Sequence, residues 1–367
     1  MAFVSLPTAK RALITLRASS MQGDRTAKSF VLQAGLFALL LLMMLLSLGW
    51  GAASDTDVIG AIGAKFGAGS ASARDMSIVW DIRMPRMLTA TLVGAALAVS
   101  GAVMQGLFRN PLADPGLVGI SAGAGFGAVV AIVLGGFLPV AILGLVGAYL
   151  IPLAAFLGGW ASTLILYRIA TRGGRTSVIT MLLAGIALGA LTGAATGFLV
   201  YRADDDQLRD LTFWGMGSVA GASWFKLMTA GPIIILALAA APFLARALDA
   251  LALGEPVAEH MGIDVQRMKR ISVLSVAASV GASVAITGGI GFVGIVVPHL
   301  LRLIQGPVHR MLLPNAALLG AVFLLIADMI SRVVVAPAEL PVGIVTATVG
   351  GPFFLWILLK NRAILEV

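Results

Sequence analysis

The sequence contains no cysteine and only three histidines among its 367 residues. Disulfide bonds, thiolate metal sites and cysteine nucleophiles are therefore excluded, and most histidine-based catalysis is not expected. Charge is also scarce, since Asp, Glu, Lys and Arg make up 11% of the chain, against about 25% in a soluble globular protein. No G-x-x-x-x-G-K-[ST] phosphate loop occurs, so the chain lacks the usual cradle for ATP. These absences exclude an ordinary soluble domain and argue against covalent chemistry.

Apolar residues supply 59% of the chain and gather into long runs. A membrane helix takes about 20 apolar residues, so we predict an all-α polytopic membrane protein with ten transmembrane helices. One run is short, and the glycine-rich stretch from Thr287 to Gly291 before it predicts a tight reversal within the membrane. The ten runs lie at about 30–50, 86–107, 116–135, 140–167, 178–200, 226–247, 271–288, 291–304, 312–332 and 342–359.

The net charge of +8 is explained by orientation in the membrane. With both termini in the cytoplasm, most Lys and Arg residues fall in cytoplasmic loops, as the positive-inside rule requires. Membrane lipid is therefore the expected partner of this basic surface, and no nucleic acid is expected. We predict that residues 1–28 form a basic cytoplasmic extension and that residues 29–367 form the transmembrane domain.

The source of energy is not evident within the chain. Coupling to protons or sodium ions usually uses acids near the bilayer midplane. Asp328 is the only acid clearly inside a predicted span, and Arg332 four residues later favours a local ion pair. An ion-coupled secondary transporter is therefore a remote alternative, and a partner subunit is expected to supply the energy.

The longest predicted cytoplasmic loop, at about 248–270, contains a short helix-forming segment. Gly254 can break the incoming helix, Glu255 favours a helix start, and Gly262 can end the helix. The segment is either a solvated connector or a rigid element that a motor subunit can push.

The fifth span has glycines at every fourth position, at Gly185, Gly189, Gly193 and Gly197. Small residues at this spacing let two membrane helices approach closely. Two interpretations stay open, namely tight packing within one subunit and a face that lines a pathway or a dimer seam.

Five short motifs are spread along the chain, namely D-I-R-M-P-R (81–86), G-A-V-M-Q-G (101–106), N-P-L-A-D-P-G-L-V-G (110–119), V-P-H (297–299) and E-L-P-V-G (339–343). Together with the loop from Leu253 to Gly262, they resemble the motifs of the FecCD-type permeases, the membrane subunits of ABC importers for iron siderophores, haem and cobalamin. The resemblance covers about residues 30–362. It implies a homodimer with the pathway along its seam and inverted repeats of spans two to five and seven to ten. It also implies two ATPase subunits beneath and a periplasmic binding protein outside.

The resemblance also implies roles for individual residues. Arg83, Arg86 and Arg332 match arginines that dock the binding protein from the outer surface; anchoring to lipid headgroups is the alternative. The coupling element that enters the ATPase corresponds to Gly254, Glu255, Ala258 and Gly262. The cytoplasmic gate corresponds to Thr176 and Ser177, which could equally cap the fifth helix.

A second short helix is predicted over 204–218, and its string L-R-D-L-T-F-W (208–214) looks like the haem-transporting branch of the family. Haem carries two propionates, and a guanidinium binds a carboxylate through two parallel hydrogen bonds. Arg209 is therefore expected in the substrate pathway, with an ion pair to Asp205 or Asp206 as the alternative.

The sequence thus predicts a permease with no catalytic residue, no metal and no permanent cofactor, while ATP binds a partner subunit. We expect it to take haem from a periplasmic haem-binding protein across the bacterial inner membrane by alternating access. A ferric siderophore or cobalamin is the alternative cargo.

Overall fold

The computed structural model of the chain is almost entirely helical. It describes the backbone of residues 8–51, 53, 55–68 and 70–360, and within those ranges the side chains from residue 27 onward except 117, 118, 358 and 360. In these residues the helices are α1 (Thr8–Gly49), α2 (Val58–Lys65), α3 (Ala73–Ser77), α4 (Met84–Phe108), α5 (Ile120–Leu134), α6 (Val140–Val146), α7 (Leu150–Ala170), α8 (Val178–Arg202), α9 (Asp205–Met216), α10 (Trp224–Leu251), α11 (Glu255–His260), α12 (Val265–Thr287), α13 (Val293–Gln305), α14 (His309–Ser331) and α15 (Val342–Lys360).

Each of the ten predicted apolar runs contains a helix. Eight helical segments of the described residues are long and apolar enough to cross a membrane, and two shorter apolar helices lie at Val293–Gln305 and Val342–Ile357. The all-α membrane fold is therefore confirmed, whereas the count of ten crossings stays a prediction. The predicted extension over residues 1–28 falls partly on α1 and partly on residues 1–7, which lie outside the described residues, as do residues 361–367.

Helix α4 lies at the centre of the subunit, where it contacts α10, α12, α13 and α14. Two of these contacts depend on glycine pairs. A Cβ atom on Gly94 would overlap the carbonyl oxygen of Gly320 in α14, and one on Gly101 would overlap that of Gly294 in α13. Lipid gives no hydrophobic drive for helix association, so close backbone contact is an important source of attraction between these helices.

A second close contact joins α5 to α7. A Cβ atom on Gly127 would overlap the carbonyl oxygen of Ala154, and one on Gly123 would lie 2.5 Å from that of Gly158. These two glycines of the third span therefore pack within the subunit.

The predicted tight turn before the short eighth span is present, whereas its position within the membrane stays a prediction. Helix α12 ends at Thr287 and α13 begins at Val293, with Gly288 at φ +70° and Phe292 at φ +68°. A Cβ atom on Gly288 would overlap the carbonyl oxygen of Trp214, so only glycine fits both the turn and this contact.

A short β-hairpin connects α7 to α8. Strand β1 (Thr171–Arg172) pairs antiparallel with β2 (Arg175–Thr176), and Thr171 lies opposite Thr176. Gly173 and Gly174 form the turn with φ of +58° and +75°, as a two-residue hairpin of this type requires. We call the end of the subunit with this hairpin and α11 the inner end, and the end with α9 the outer end, following the predicted orientation.

Candidate functional site: the pathway face and the two ends of the subunit

The predicted short helix at the outer end is confirmed as α9. Asp204 caps it by accepting a hydrogen bond from the Gln207 N–H at 2.8 Å, and the Gln207 side chain accepts one from the Asp204 N–H at 3.2 Å. This reciprocal capping box satisfies two backbone donors of the first turn. The helix is followed by Gly217 at φ +70°, so local sequence alone accounts for both of its ends.

Arg209 lies exposed on α9. Its guanidinium carbon lies 5.9 Å from the centre of the Phe213 ring, a distance at which a cation is attracted to an aromatic face. Among the described residues it forms no ion pair, either with Asp205 or with Asp206. The alternative of a local ion pair is therefore not realised, and the guanidinium is free to bind a ligand.

A groove of about 430 Å³ lies between α5, α8 and α9. Gly189 and Gly193 line it from α8, and Leu208, Leu211 and Trp214 line it from α9. Those three apolar residues share one face of α9, as its sequence predicts.

The glycine face of α8 is mostly uncovered. Gly185 is buried, but a Cβ atom on Gly189, Gly193 or Gly197 would meet nothing within 4 Å. Tight packing within the subunit is therefore the wrong interpretation for these three positions.

The three arginines predicted to dock the binding protein are buried. Arg83, Arg86 and Arg332 expose 5%, 5% and 4% of their surface. The expectation of exposed cations at the outer entrance is therefore wrong, and so is anchoring to lipid headgroups. A guanidinium carries five N–H donors, and each of these three side chains uses several of them in hydrogen bonds inside the subunit.

An ion-pair cluster accounts for two of these arginines. Arg86 donates to Asp328 at 2.9 Å and to Glu339 at 2.8 Å. Arg332 donates to the same Asp328, at 2.9 Å through Nε, which confirms the predicted local ion pair. Asp328 is completely buried, so its carboxylate is committed to structure.

Arg83 and Arg332 also bind the end of α1 and the segment after it through hydrogen bonds. Arg83 donates to the carbonyl oxygens of Leu48 at 2.7 Å and Ala53 at 2.6 Å. Arg332 donates to those of Ser47 at 2.9 Å and Trp50 at 3.0 Å. Docking of a partner at Arg83, Arg86 or Arg332 stays a prediction, and it would require these bonds to break.

At the inner end, the predicted helix of the 248–270 loop is confirmed as α11. Gly254 at φ +111° precedes it and Gly262 at φ +78° follows it, conformations that favour glycine. Ala258 is fully buried, so the helix packs onto the subunit and is not a solvated connector. Glu255 in its first turn accepts a hydrogen bond from the buried Lys269 of α12 at 2.7 Å.

The predicted gate residues Thr176 and Ser177 have different environments. Ser177 caps α8 by accepting a hydrogen bond from the Thr180 N–H at 3.2 Å, so the capping alternative is confirmed for this residue. Thr176 is buried; its N–H donates to Gln266 at 2.9 Å and its carbonyl oxygen accepts from Lys269 at 2.8 Å. The sequence analysis did not identify Gln266 or Lys269. The position of Lys269, just before a long apolar run, was a signal that its charge could be buried and would then need a partner.

A cleft of about 530 Å³ lies at the inner end between α11, the hairpin and the end of α4. Its lining carries both signs of charge, since it includes Arg109 and Arg175 as well as Glu255 and Glu259. Arg109 holds a left-handed conformation at φ +49° where α4 ends. The cleft is therefore a charged surface at the inner end of the subunit.

The motif at 110–119 forms the connection that starts α5. Asp114 accepts a hydrogen bond from the Gly116 N–H at 2.7 Å and thereby caps a single 3₁₀ turn, Pro115–Val118. Burial raises the pKa of the Asp114 carboxyl, and the bond from Gly116 acts in the opposite direction. The motif thus serves to position α5.

The histidines have structural neighbours. His260 contacts the Pro256 carbonyl oxygen through Nδ1 at 2.6 Å, His309 contacts Asp249 at 2.7 Å, and His299 lies edge-on to Phe353. Across the described residues, no group of three His, Asp or Glu side chains is arranged to hold a metal ion.

Comparison with known proteins agrees with this architecture. The sequence profile of the FecCD transport family matches residues 38–360. The hemin transport system permease protein HmuU of Yersinia pestis is 47% identical over 285 residues, which are 77% of this chain and 84% of that protein. The vitamin B12 import system permease protein BtuC of Salmonella typhi is 45% identical over 294 residues, or 79% of this chain and 86% of that protein.

A solved structure shares the fold. It is described as a metal-chelate type ABC transporter in an inward-facing conformation, and it matches with a TM-score of 0.78 at 31% identity over 89% of this chain and 98% of that chain. The family profile covers most of the sequence, and the two relatives are permease subunits of import systems. The chain is therefore a multi-pass membrane permease of an ABC importer and belongs to the FecCD transport family.

Proposed function

We propose that this permease imports haem across the bacterial inner membrane. The observation that carries the proposal is the guanidinium of Arg209, which is exposed beside an aromatic ring on α9, the helix that lines the groove with α8. Haem offers two carboxylates and a flat apolar ring, so an arginine and an aromatic surface suit both of its parts. Identity to a hemin permease supports the same cargo.

We also propose that two copies of the chain form the pathway between them. The uncovered face at Gly189, Gly193 and Gly197 supports this arrangement, because small residues at this spacing favour close approach of a second helix. A two-fold axis next to this face of α8 would place the glycine faces of the two copies on opposite sides of the seam. Each subunit would then supply one wall and one Arg209 to the outer end.

The partners follow from the two ends. Two ATPase subunits would bind α11 and the mixed-charge cleft beside it, hydrolyse ATP and drive alternating access. A periplasmic haem-binding protein would dock at the outer end, with both termini of the permease in the cytoplasm. Thr176 and Ser177 would lie at the inner gate, where the hairpin leads into α8.

Cobalamin and a ferric siderophore are the alternative cargoes. Identity to a vitamin B12 permease supports the first of them, and the same pathway could carry either. The side chains of cobalamin end mainly in amides and not in carboxylates, so its passage should depend much less on a cation at position 209. This difference allows one substitution to discriminate between the cargoes.

The test is uptake into proteoliposomes that contain the permease with its ATPase subunits, supplied by the binding protein. Haem, cobalamin and a ferric siderophore are compared with and without ATP. We expect ATP-dependent uptake of haem, and Arg209→Ala should reduce it at least about tenfold, which corresponds to about 1.4 kcal/mol.

Arg202→Ala is the matched control, because this arginine is also exposed and lies one helix earlier, in the last turn of α8. It should leave uptake unchanged. Haem uptake at the normal rate in Arg209→Ala, with normal ATP hydrolysis, would overturn the role of Arg209. ATP-dependent uptake of cobalamin or a siderophore but not haem would overturn the cargo.

A further inference from the structure

Lys269 near the start of α12 joins two elements of the inner end, α11 and the hairpin, between which the described residues form no hydrogen bond. Its ammonium group donates to Glu255 Oε1 of α11 at 2.7 Å and to the carbonyl oxygen of Thr176 in the hairpin at 2.8 Å. We propose that Lys269 is the positioning residue that transmits movement of α11 to the hairpin and through it to α8. This inference rests on the proposed function, in which an ATPase moves α11 and α8 lines the pathway.

Burial of the ammonium group makes this pair of bonds unfavourable to break. The side chain of Lys269 is 3% exposed, whereas that of Glu255 is 36% exposed. A buried ammonium that loses its partner is strongly destabilising, because the charge then lies uncompensated away from water. When α11 shifts, Lys269 therefore has to follow Glu255 or lose the ion pair, and Thr176 has to follow Lys269.

A second bond from α12 holds the same hairpin residue. The N–H of Thr176 donates to Gln266 Oε1 at 2.9 Å, one helical turn before Lys269. Both backbone polar groups of Thr176 are thus fixed by α12, and its hydroxyl lies 3.0 Å from that of Thr171 across the hairpin. The hairpin cannot rotate about this residue without breaking one of these bonds.

The hairpin in turn begins α8. Thr176 is followed by Ser177, the cap of α8, and the helix starts at Val178. Two residues therefore separate the bond to Lys269 from the helix that carries the open glycine face. A displacement of α11 reaches the inner end of α8 through two hydrogen bonds and this short connection.

The experiment measures ATP hydrolysis and cargo uptake in the same proteoliposomes, with the complete complex and binding protein. Lys269→Met keeps the length of the side chain but removes its charge, and Glu255→Gln removes the charge of its partner. We expect Lys269→Met to hydrolyse ATP within about twofold of the wild type, and for both variants the readout is the ratio of ATP hydrolysed to cargo imported. The number of ATP molecules hydrolysed per imported cargo should rise at least about fivefold, within the range of a coupling residue.

Arg267→Met is the control, because Arg267 is an exposed cation on the same helix and its loss should leave the ratio unchanged. If Lys269→Met does not assemble, Glu255→Gln decides the question, since this half-exposed position tolerates an amide of the same shape. An unchanged ratio in an assembled Glu255→Gln complex would overturn the proposal.

The cargo that the wild type imports best is used for the ratio, so an error about haem leaves the test intact. Wild-type transport with an unchanged ratio in the variants removes only the role of Lys269. A wild-type complex that imports none of the three cargoes with ATP overturns the proposed function and the inference with it.

Discussion

Gly123 and Gly127 in α5 have the same four-residue spacing as Gly189 and Gly193 in α8, yet their surroundings differ completely. The first pair lies against the backbone of α7, where an added Cβ atom would overlap or crowd a carbonyl oxygen. An added Cβ atom at either residue of the second pair would meet nothing within 4 Å. Half of the most apolar stretch of α5 is buried inside the subunit, against 11% in α8. A row of small residues therefore marks a place of close approach without saying which helix approaches.

The difference indicates that the two glycine rows have different functions. Closed glycine contacts, at α5 and at Gly94 and Gly101 of α4, hold the subunit together. The open row on α8 adds nothing to the stability of one subunit, so its residues are available for the pathway. Four substitutions test this division, in order of their expected effect on stability.

The largest loss is expected for Asp328→Asn. The substitution leaves Arg86 and Arg332 buried with no full negative charge between them, and breaking a buried ion pair in this way costs about 3–5 kcal/mol. The free energy of unfolding in detergent measures the loss. Asp205→Asn on the exposed helix α9 is the control and should change it by less than about 0.5 kcal/mol; an equal loss in both variants would contradict a structural role specific to Asp328.

Gly127→Leu should rank next. The new side chain would overlap the backbone of α7 at Ala154, and overpacking of this kind costs about 1–3 kcal/mol or more. The yield of monodisperse protein and its melting temperature measure the effect. The same change at Gly189, where the space is open, is the matched control; if both variants melt alike, the comparison between α5 and α8 fails.

Gly193→Leu should hardly affect the stability of the subunit, by less than about 0.5 kcal/mol, but it places a large side chain in the groove of α8. ATP-dependent uptake should therefore fall although the complex assembles and hydrolyses ATP. Normal uptake by this variant would remove the α8 face from the pathway.

Gly193→Cys should have the smallest effect on stability, and it tests most directly whether two copies of the chain meet along α8. The chain has no other cysteine, so a bifunctional maleimide can react only at this position. We expect a covalent permease dimer on denaturing gels. Leu236→Cys, on an exposed part of α10, should give none, and equal crosslinking of the two variants would argue against a seam along α8.

Predictability from the sequence depended on distance along the chain. Helix α9 could be predicted with both ends, because Asp204 and Gln207 cap each other within one turn. The same holds for α11, where Gly254 and Gly262 bound the helix. The burial of Arg86 could not be predicted, because its partner Asp328 lies 242 residues away.

The two ends of the subunit show the same limit. At the outer end, the sequence predicted that Arg209 lies in the pathway, and the structure showed that its side chain forms no ion pair with Asp205 or Asp206. At the inner end, the sequence drew attention to Thr176, and the structure added Lys269, which lies 93 residues later. Charge partners of this kind are decided when helices pack.

By itself, the sequence determined the membrane class, the apolar runs and the local caps, because hydrophobic length and short-range hydrogen bonds are properties of neighbouring residues. Only the tertiary structure decided which glycine row is closed and which is open, and which arginines are buried. The physical reason is that both outcomes depend on which helices come to lie side by side, a choice made by the packing of the whole subunit and not by any one segment.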